Sequence, residues 1–380
     1  MNIGNRILRG LFNTGLGYRN LIRFYTVSPR FLPSHVPWDP TGLSVWVTTQ
    51  CNLRCKYCLK SVSDSEDIVL SEETFENIAS NIREGMNITF LAEGEPLIHP
   101  DFLIFIRTVK ERGGEVDFST NGMLLTKKNM NEIVDLGVDE ITFSINGMYD
   151  THEELSPGSN FERIMNNISE LYDLKGGRDG KPELAVCFIG STRNIHELPE
   201  LVEALSPYTK LIRLNNLIPW TPEMYHEHLS NDETRTLQIF EKSKKVARET
   251  GVNLILRPLT PKVEICWEPW LKPYVAHDGA VIPCCLVGDH YSLTPEPSEW
   301  FDKIEIRMLP ETYVMGNLND TSLDEIWNNH KYRRFRKRLS KAIATDRKRN
   351  WTLQEYSQHR EEHKDDIYCR SCTLRYGLVC

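Results

Sequence analysis

The sequence has no apolar run that approaches the roughly 18 residues needed to cross a bilayer, and no repeat of fixed period. Its N-terminus lacks a continuous apolar core followed by a small-residue cleavage site, so a secretory signal is not expected. With a net charge of −8 over 380 residues, these absences favour a cytoplasmic protein for which no nucleic-acid partner is expected. The length predicts one large domain and a smaller one.

Acidic residues are also absent before Asp39, while five arginines and several apolar residues at rough helical spacing lie in that stretch. The pattern predicts a basic amphipathic segment over residues 1–40, in which residues 34–40 form a linker. Such a segment could make a peripheral membrane contact through residues 1–35. A helix packed across the main domain is the favoured interpretation, and an organellar transit peptide is a further, less favoured alternative.

From about residue 42, short β-type runs alternate with helical segments. The predicted strands are Leu43–Val47, Asn87–Leu91, Glu115–Ser119, Glu140–Ile145, Leu184–Ile189, Leu211–Leu214 and Val252–Leu256. Repeated strand–helix units predict a parallel sheet with right-handed crossovers. The expected fold class is therefore α/β, with a partial (β/α)6 TIM-like barrel over residues 41–262. In such folds ligands bind at the C-terminal ends of the strands.

Nine of the ten cysteines fall in two regions, which favours two metal sites over a disulfide framework. Cys51, Cys55 and Cys58 follow the first predicted strand. Iron–sulfur clusters normally take four thiolates, so a triplet would leave one iron open for chemistry. The alternatives are a zinc site, which would want a fourth ligand, and a ferredoxin-like cluster, which would need a fourth cysteine.

The Cys-x3-Cys-x2-Cys motif after the first strand of an alternating α/β domain resembles the radical S-adenosylmethionine enzymes. The resemblance implies a 4Fe–4S cluster on the three cysteines, with S-adenosylmethionine chelating the open iron. It also implies that Tyr57 lies near the adenine, and that a flavodoxin or ferredoxin supplies the reducing electron.

Two further motifs at predicted strand ends extend the resemblance, and the single residues Ser144 and Asn215 end later strands. Glu93-Gly94-Glu95-Pro96 is similar to the family's Gly-Gly-Glu-Pro turn, with a glutamate in place of the first glycine, and Ser119-Thr-Asn-Gly122 is similar to a second family motif. Taken alone, each could be ordinary turn chemistry. The implied cofactor-binding residues are Tyr57, Glu93, Gly94, Glu95, Ser119, Asn121, Ser144 and Asn215.

The second cysteine group resembles the C-terminal extension called SPASM, or twitch in its shortened form. Cys266, Cys284, Cys369 and Cys372 would hold one auxiliary 4Fe–4S cluster in a small domain over residues 263–380. The alternative is a structural zinc site on the same four thiols. Cys187 would be a buried small side chain in a strand or a hydrogen-atom donor. No role is assigned to Cys285 or Cys380.

The resemblance covers residues 43–380 and implies reductive cleavage of S-adenosylmethionine to a 5′-deoxyadenosyl radical, which abstracts a hydrogen atom from the substrate. Oxidation of a small molecule or glycan, with the auxiliary cluster as electron acceptor, is the favoured outcome. Modification of a peptide and a non-catalytic electron carrier are the alternatives, and no catalytic acid or base is identified. The basic stretch Lys331–Arg349 is expected to be a solvated helix face.

Overall fold

The computed structural model describes residues 32–61, 67–91, 93–219, 221–260, 266–284, 292–295, 304–307 and 313–346, and the single positions 355, 358, 359 and 362. Most of the predicted N-terminal basic segment, with Cys285, Cys369, Cys372 and Cys380, lies outside this set. No helix in the described ranges is both long and apolar enough to span a bilayer.

Seven parallel strands form the main sheet, in chain order. They are β1 Gly42–Trp46, β2 Asn87–Leu91, β3 Glu115–Thr120, β4 Glu140–Ser144, β5 Glu183–Gly190, β6 Leu211–Asn216 and β7 Asn253–Leu256. The first six strands are each followed by at least one helix, so the expected α/β fold with six strand–helix units is confirmed, with β7 added at the edge.

The helices that connect these strands are α1 Glu72–Ala79, α2 Phe102–Glu111, α3 Lys127–Asp135, α4 Tyr149–Leu155, α5 Phe161–Leu174, α6 Leu198–Leu205, α7 Pro222–His226 and α8 Glu233–Thr250. Ser71 caps α1 by accepting a hydrogen bond from the Thr74 N–H, as its sequence predicts. Helix α8 ends at Gly251, whose positive φ of 73° suits glycine.

The strands divide their side chains between two faces. In β3, Val116 and Phe118 are buried, and the Phe118 ring meets Phe102 of α2 edge-on at 5.1 Å. Asp117 and Ser119 lie between them on the opposite face, because successive side chains of a strand alternate. The helices therefore cover one face of the sheet, and the polar residues of the other face line the barrel interior.

The region after residue 266 continues the same sheet. Short strands β8 Tyr274–Val275, β9 Ala280–Ile282 and β12 Gly316–Asn317 extend it from the free edge of β1. Strand β8 is parallel to β1, and β9 and β12 are antiparallel to their neighbours. A separate hairpin pairs β10 Ser292–Pro295 with β11 Ile304–Arg307, and helices α9 Glu268–Leu271, α10 Leu323–Trp327 and α11 His330–Asp346 complete the described elements.

Residues 32–40, which the prolines predict to include a linker, are packed against the C-terminal region. The Trp38 indole donates to the Trp270 carbonyl at 2.8 Å, and the Trp327 indole donates to the Trp38 carbonyl at 3.0 Å. Trp38 is 5% exposed. These buried hydrogen bonds tie the segment before β1 to α9 and α10, so the beginning and the later part of the chain form one core.

Helix α11 carries most of the basic stretch, and its cations divide between two environments. Arg333, Arg334 and Lys337 are exposed, as expected for a solvated face. Arg336 departs from that expectation because it is fully buried, with its guanidinium 4.1 Å from the ring centroids of both Trp327 and Tyr332. One cation of this basic helix, Arg336, is therefore part of the core rather than of the solvated face.

Candidate functional site

The loop after β1 holds Cys51, Cys55 and Cys58 together at the C-terminal end of the sheet. A Cys58 N–H to Cys55 carbonyl hydrogen bond of 3.1 Å closes the turn, and the Lys56 N–H donates to the Leu155 carbonyl at 2.8 Å. Burial, with smaller contributions from the neighbouring Cys55 and Cys51, raises the pKa of the Cys58 thiol to about 11. The three thiols are therefore close enough to interact electrostatically.

Hydrogen-bond donors surround the thiols as they would surround thiolates. The Leu53 N–H lies 3.4 Å from Cys51 Sγ and Asn121 Nδ2 lies 4.0 Å from it. Burial raises the pKa of the Cys55 thiol, and a hydrogen bond from the buried Ser156 hydroxyl, which has no other partner in the described ranges, lowers it. A buried donor directed at a cysteine fits a cluster whose sulfurs accept hydrogen bonds.

The thiol arrangement suits a cluster better than a single ion. Among the described residues, no three His, Cys, Asp or Glu side chains could hold one metal ion together. A 4Fe–4S cluster does not need such convergence, because each thiolate binds a different iron. The zinc alternative for this triplet is accordingly disfavoured.

We expect Ser156→Ala to make the reduction potential of the reconstituted cluster more negative, because hydrogen bonds to the sulfurs stabilise the reduced state. A redox titration followed by electron paramagnetic resonance measures the shift. Ser159→Ala is the matched control, since Ser159 Oγ is buried and makes no hydrogen bond to any described residue. An equal potential in both variants would contradict a Ser156–Cys55 interaction.

Glu95 joins the loops that follow β1, β2 and β3. Its carboxylate, 1% exposed, accepts hydrogen bonds from the Asn121 N–H at 2.7 Å, the Thr120 hydroxyl at 2.8 Å and the Leu97 N–H at 3.2 Å. Burial raises the pKa of Glu95 to about 7, although these donors favour the charged form. Thr120 was not predicted from the sequence, although it lies inside the Ser119-Thr-Asn-Gly122 motif.

Gly94 allows the turn after β2 to lie against the turn after β1. A Cβ at Gly94 would be 1.8 Å from the Gln50 carbonyl oxygen, so only glycine fits. The Glu95 N–H donates to that same carbonyl at 2.7 Å, and the Glu93 carbonyl lies 4.0 Å from Cys58 Sγ. The structure thus brings the predicted Glu93-Gly94-Glu95 turn next to the cysteine loop.

Ser119 and Ser144 occupy the C-terminal ends of β3 and β4 on the interior face. Asn121, directly after β3, donates from its side chain to Asn52 Oδ1 at 2.9 Å, which connects it to the cysteine loop. Asn215 of β6 donates instead to Cys187 Sγ at 3.3 Å. Residues predicted at the strand ends therefore share one edge of the sheet, and Asn215 and Cys187 form a pair on β6 and β5.

Tyr57 is anchored by residues that the sequence did not single out. Its hydroxyl donates to Glu227 Oε2 at 2.5 Å and lies 2.8 Å from Ser191 Oγ. Burial, followed by the hydrogen bond to Glu227, raises the pKa of Tyr57 well above its usual range. Arg193 donates to Glu227 at 3.2 Å and also pairs with Glu154. No local sequence signal links Tyr57 to a glutamate 170 positions away.

We expect Tyr57→Phe to lower the free energy of unfolding by about 1–3 kcal/mol, because it leaves buried polar groups of Glu227 and Ser191 without their phenol partner. Urea denaturation followed by circular dichroism measures the change. Tyr149→Phe is the control, since the Tyr149 side chain is 62% exposed. Equal midpoints for the two variants would show that the Tyr57 network contributes no stability.

The second cysteine group is described only in part, at Cys266 and Cys284. Both thiols lie near the Tyr332 phenol and raise its pKa, although burial is the larger cause. The Tyr332 hydroxyl is fully buried and has no hydrogen-bond partner. A buried phenol donor facing two thiols fits a sulfur-rich group, to which thiolates from the rest of the predicted set would complete the ligands.

A parallel α/β sheet with three clustered thiols after its first strand defines an iron–sulfur protein class. A model of the radical SAM superfamily matches residues 46–205, and a model of the iron–sulfur cluster-binding SPASM domain matches residues 266–373. The chain therefore carries a radical SAM domain and a C-terminal iron–sulfur cluster-binding SPASM domain. Its cofactors are accordingly 4Fe–4S clusters and S-adenosylmethionine.

Relatives and solved structures agree with this assignment. The tungsten-containing aldehyde ferredoxin oxidoreductase cofactor-modifying protein of Pyrococcus furiosus is 29% identical over 299 residues, covering 76% of this chain and 81% of the relative. A probable GTP 3′,8-cyclase of Methanocaldococcus jannaschii is 26% identical, covering 66% and 86%. The fold is shared with S-adenosylmethionine-bound anSMEcpe (TM-score 0.56, 16% identity, 87% and 88% covered) and Streptococcus suis SuiB (0.56, 15%, 79% and 68%).

Proposed function

We propose that this radical SAM enzyme abstracts a hydrogen atom from a small-molecule or glycan substrate and oxidises it, with an auxiliary 4Fe–4S cluster as electron acceptor. The proposal rests on one observation, which is that three thiols and the buried Glu95 carboxylate lie close together at the C-terminal edge of the sheet. The Ser119 and Ser144 hydroxyls lie at the same edge, at the ends of β3 and β4. Reductive cleavage of S-adenosylmethionine to methionine and a 5′-deoxyadenosyl radical is the chemistry that the bound cofactors supply.

The roles of the residues follow from their positions. Cys51, Cys55 and Cys58 hold the cleaving cluster. Glu93, Gly94, Glu95 and Asn121 form the surface that receives the methionine part of S-adenosylmethionine, since their loops lie beside the thiols. Ser119 and Ser144 offer hydroxyls on the interior face of β3 and β4. Tyr57 and Asn215 remain the proposed contacts to the adenosine part.

The auxiliary cluster is proposed on Cys266, Cys284, Cys369 and Cys372. The unpartnered Tyr332 phenol beside the first two thiols supports it. A cluster fully ligated by four thiolates has no open iron for substrate, which suits it to electron transfer. A flavodoxin or ferredoxin is the proposed reductant of the cleaving cluster.

The sequence relatives favour a small-molecule substrate over a peptide. The two relatives described above are named for modifying a cofactor and for cyclising GTP, and each aligns over most of its own length. SuiB and anSMEcpe have been solved with peptides, but their identity of 14% in those complexes supports the shared fold alone. Peptide modification is therefore the second candidate.

The decisive experiment is anaerobic reconstitution of the full chain, reduction with dithionite and addition of S-adenosylmethionine. We expect 5′-deoxyadenosine and methionine in equal amounts, detected by liquid chromatography, and neither product when dithionite is omitted. Protein with bound clusters but no 5′-deoxyadenosine would contradict the enzymatic proposal and favour an electron carrier.

Metal analysis and substrate fractions test the finer statements. About eight irons per chain are expected for two clusters, whereas about four irons with one zinc would exclude the auxiliary cluster. A small-molecule fraction of cell extract should accelerate 5′-deoxyadenosine formation, and treatment of that fraction with protease should leave the acceleration intact. Loss of the acceleration after protease would favour the peptide alternative.

A further inference from the structure

Two arginines reach the barrel interior from the last strands of the sheet. Arg213 lies on the interior face of β6, in register with Ile255 of β7. Arg257 follows β7 and returns to the face of Ile255, because strand side chains alternate with a period of two. Both guanidinium groups act on Cys187 of β5, whose thiol pKa they lower against a larger rise caused by burial. Both guanidinium groups are therefore near Cys187, although Arg257 follows the end of β7 and Arg213 lies in the middle of β6.

The two arginines differ in how their charges are balanced. Arg213 Nη1 is 3.1 Å from Glu140 Oε1 and 3.4 Å from Thr142 Oγ1. Arg257 forms no ion pair with any described residue, and its Nε is buried without a hydrogen-bond partner. A buried donor of this kind is costly to leave unsatisfied, so it is usually paired in native proteins.

A largely buried cation beside β2, away from the two arginines, has partners. Lys272 donates to the side chains of Asn87 and Thr89, and the charges of Asp117 and Glu268 raise its pKa against the burial that lowers it. Of Arg213, Lys272 and Arg257, only Arg257 has neither an acidic partner nor a hydrogen bond at its buried Nε among the described residues. The structure leaves this guanidinium available to a ligand.

We propose that Arg257, just after β7, binds an anionic group of the substrate, a carboxylate or a phosphate, and that Arg213 adds positive charge from the interior face of β6. A guanidinium presents paired N–H donors that match both groups in a bidentate geometry. The exposed side chain of Ile255 on β7, in register with Arg213, offers an apolar contact to the rest of the substrate. This inference deepens the proposed function and rests on it.

The carboxylate of S-adenosylmethionine is the second source of such an anion. The strand order places the proposed methionine-binding loops after β1, β2 and β3, whereas Arg257 follows β7 at the far end of the parallel strands. The position therefore favours the substrate, and the two sources predict different effects of an Arg257 substitution on S-adenosylmethionine affinity.

The test uses inorganic pyrophosphate as the probe and the reconstituted full chain as the protein. Isothermal titration calorimetry should show saturable binding to the wild type and at least about a tenfold weaker affinity for Arg257→Gln, in line with the loss of a charge-assisted pair. Arg235→Gln on the exposed start of α8 is the control and should bind like the wild type. Arg257→Lys, which keeps the charge, should bind more tightly than Arg257→Gln.

Two outcomes would overturn the inference. The first is pyrophosphate binding that is undetectable in the wild type or equal in Arg257→Gln. The second is a loss of S-adenosylmethionine affinity in Arg257→Gln with a native circular dichroism spectrum, which would assign the anion to the cofactor. Formation of 5′-deoxyadenosine by the same wild-type sample shows separately that the proposed function stands, whichever result is obtained with pyrophosphate.

Discussion

Glu95→Ala should weaken S-adenosylmethionine binding by roughly a hundredfold, because about 3 kcal/mol is lost when several buried donors lose their acceptor. The Asn121 and Leu97 N–H groups and the Thr120 hydroxyl all donate to this one carboxylate. Its removal releases the turns that place the proposed methionine-binding surface beside the thiols. Equilibrium dialysis with reconstituted protein measures the dissociation constant.

The conservative variant Glu95→Gln separates charge from shape. Its amide oxygen still accepts one set of hydrogen bonds, but its NH2 group cannot accept the one from the Asn121 N–H. We expect an affinity between those of the wild type and Glu95→Ala. Glu73→Ala, an exposed glutamate of α1, is the control and should bind like the wild type. Wild-type affinity in Glu95→Ala would contradict the assigned role.

The same carboxyl predicts a pH dependence. With its pKa at about 7, Glu95 is half protonated at that pH in the ligand-free protein. A hydrogen-bond donor on the bound cofactor favours the carboxylate, so S-adenosylmethionine affinity should rise as pH increases from about 5 to 8. Stability of the ligand-free fold has the opposite sign, since the raised pKa costs stability as pH rises from 4.5 towards 7. Glu95→Gln should remove the Glu95 contribution to both dependences.

The parallel sheet and the cysteine loop could be predicted because their signals are local. Each strand is a short run with apolar residues on alternate positions, such as Ile88 and Phe90 of β2, and each helix that follows buries one stripe. The motifs at residues 93–96 and 119–122 require no long-range information, since a parallel sheet brings the C-terminal ends of its strands to one edge.

Contacts between distant parts of the chain were not predictable, because they depend on how elements pack. The Trp38 indole donates to the Trp270 carbonyl, 232 positions away in the sequence. Because of such contacts, residues 34–40 are packed against the C-terminal region, although their prolines predict a linker. Charge patterning failed in the same way at Arg336, whose neighbours Arg334 and Lys337 are exposed. Periodicity assigns a residue to a helix face, but it does not state what covers that face.

Arg336 connects the N-terminal and C-terminal parts of this core. Its Nε donates to the Pro269 carbonyl at 2.7 Å, and its Nη1 donates to the Trp327 carbonyl at 2.8 Å and to Asn328 Oδ1 at 3.2 Å. The Asn328 side chain in turn bonds both the N–H and the carbonyl of Val36. Burial lowers the pKa of Arg336 to about 10, which keeps it charged at neutral pH.

Arg336→Ala should therefore lower the free energy of unfolding by about 3–5 kcal/mol, through unsatisfied buried carbonyls, a cavity and lost cation–π contacts. Guanidinium denaturation measures the loss, and Arg334→Ala on the exposed face should stay within about 0.5 kcal/mol of the wild type. Arg336→Lys should rescue little, because an ammonium cannot reproduce the planar fork. A wild-type midpoint for Arg336→Ala would refute this structural role.

Arg336→Ala should also prevent assembly of the proposed auxiliary cluster. Arg336 stacks on Tyr332, and the Tyr332 phenol lies near Cys266 and Cys284. We expect the iron content of reconstituted Arg336→Ala to fall from about eight to about four per chain. None of the three cysteines Cys51, Cys55 and Cys58 is among the hydrogen-bond or ring partners of Arg336. The cluster proposed on them should therefore remain, and cleavage of S-adenosylmethionine without substrate oxidation is the expected phenotype. Retention of both clusters would separate the arginine from the auxiliary site.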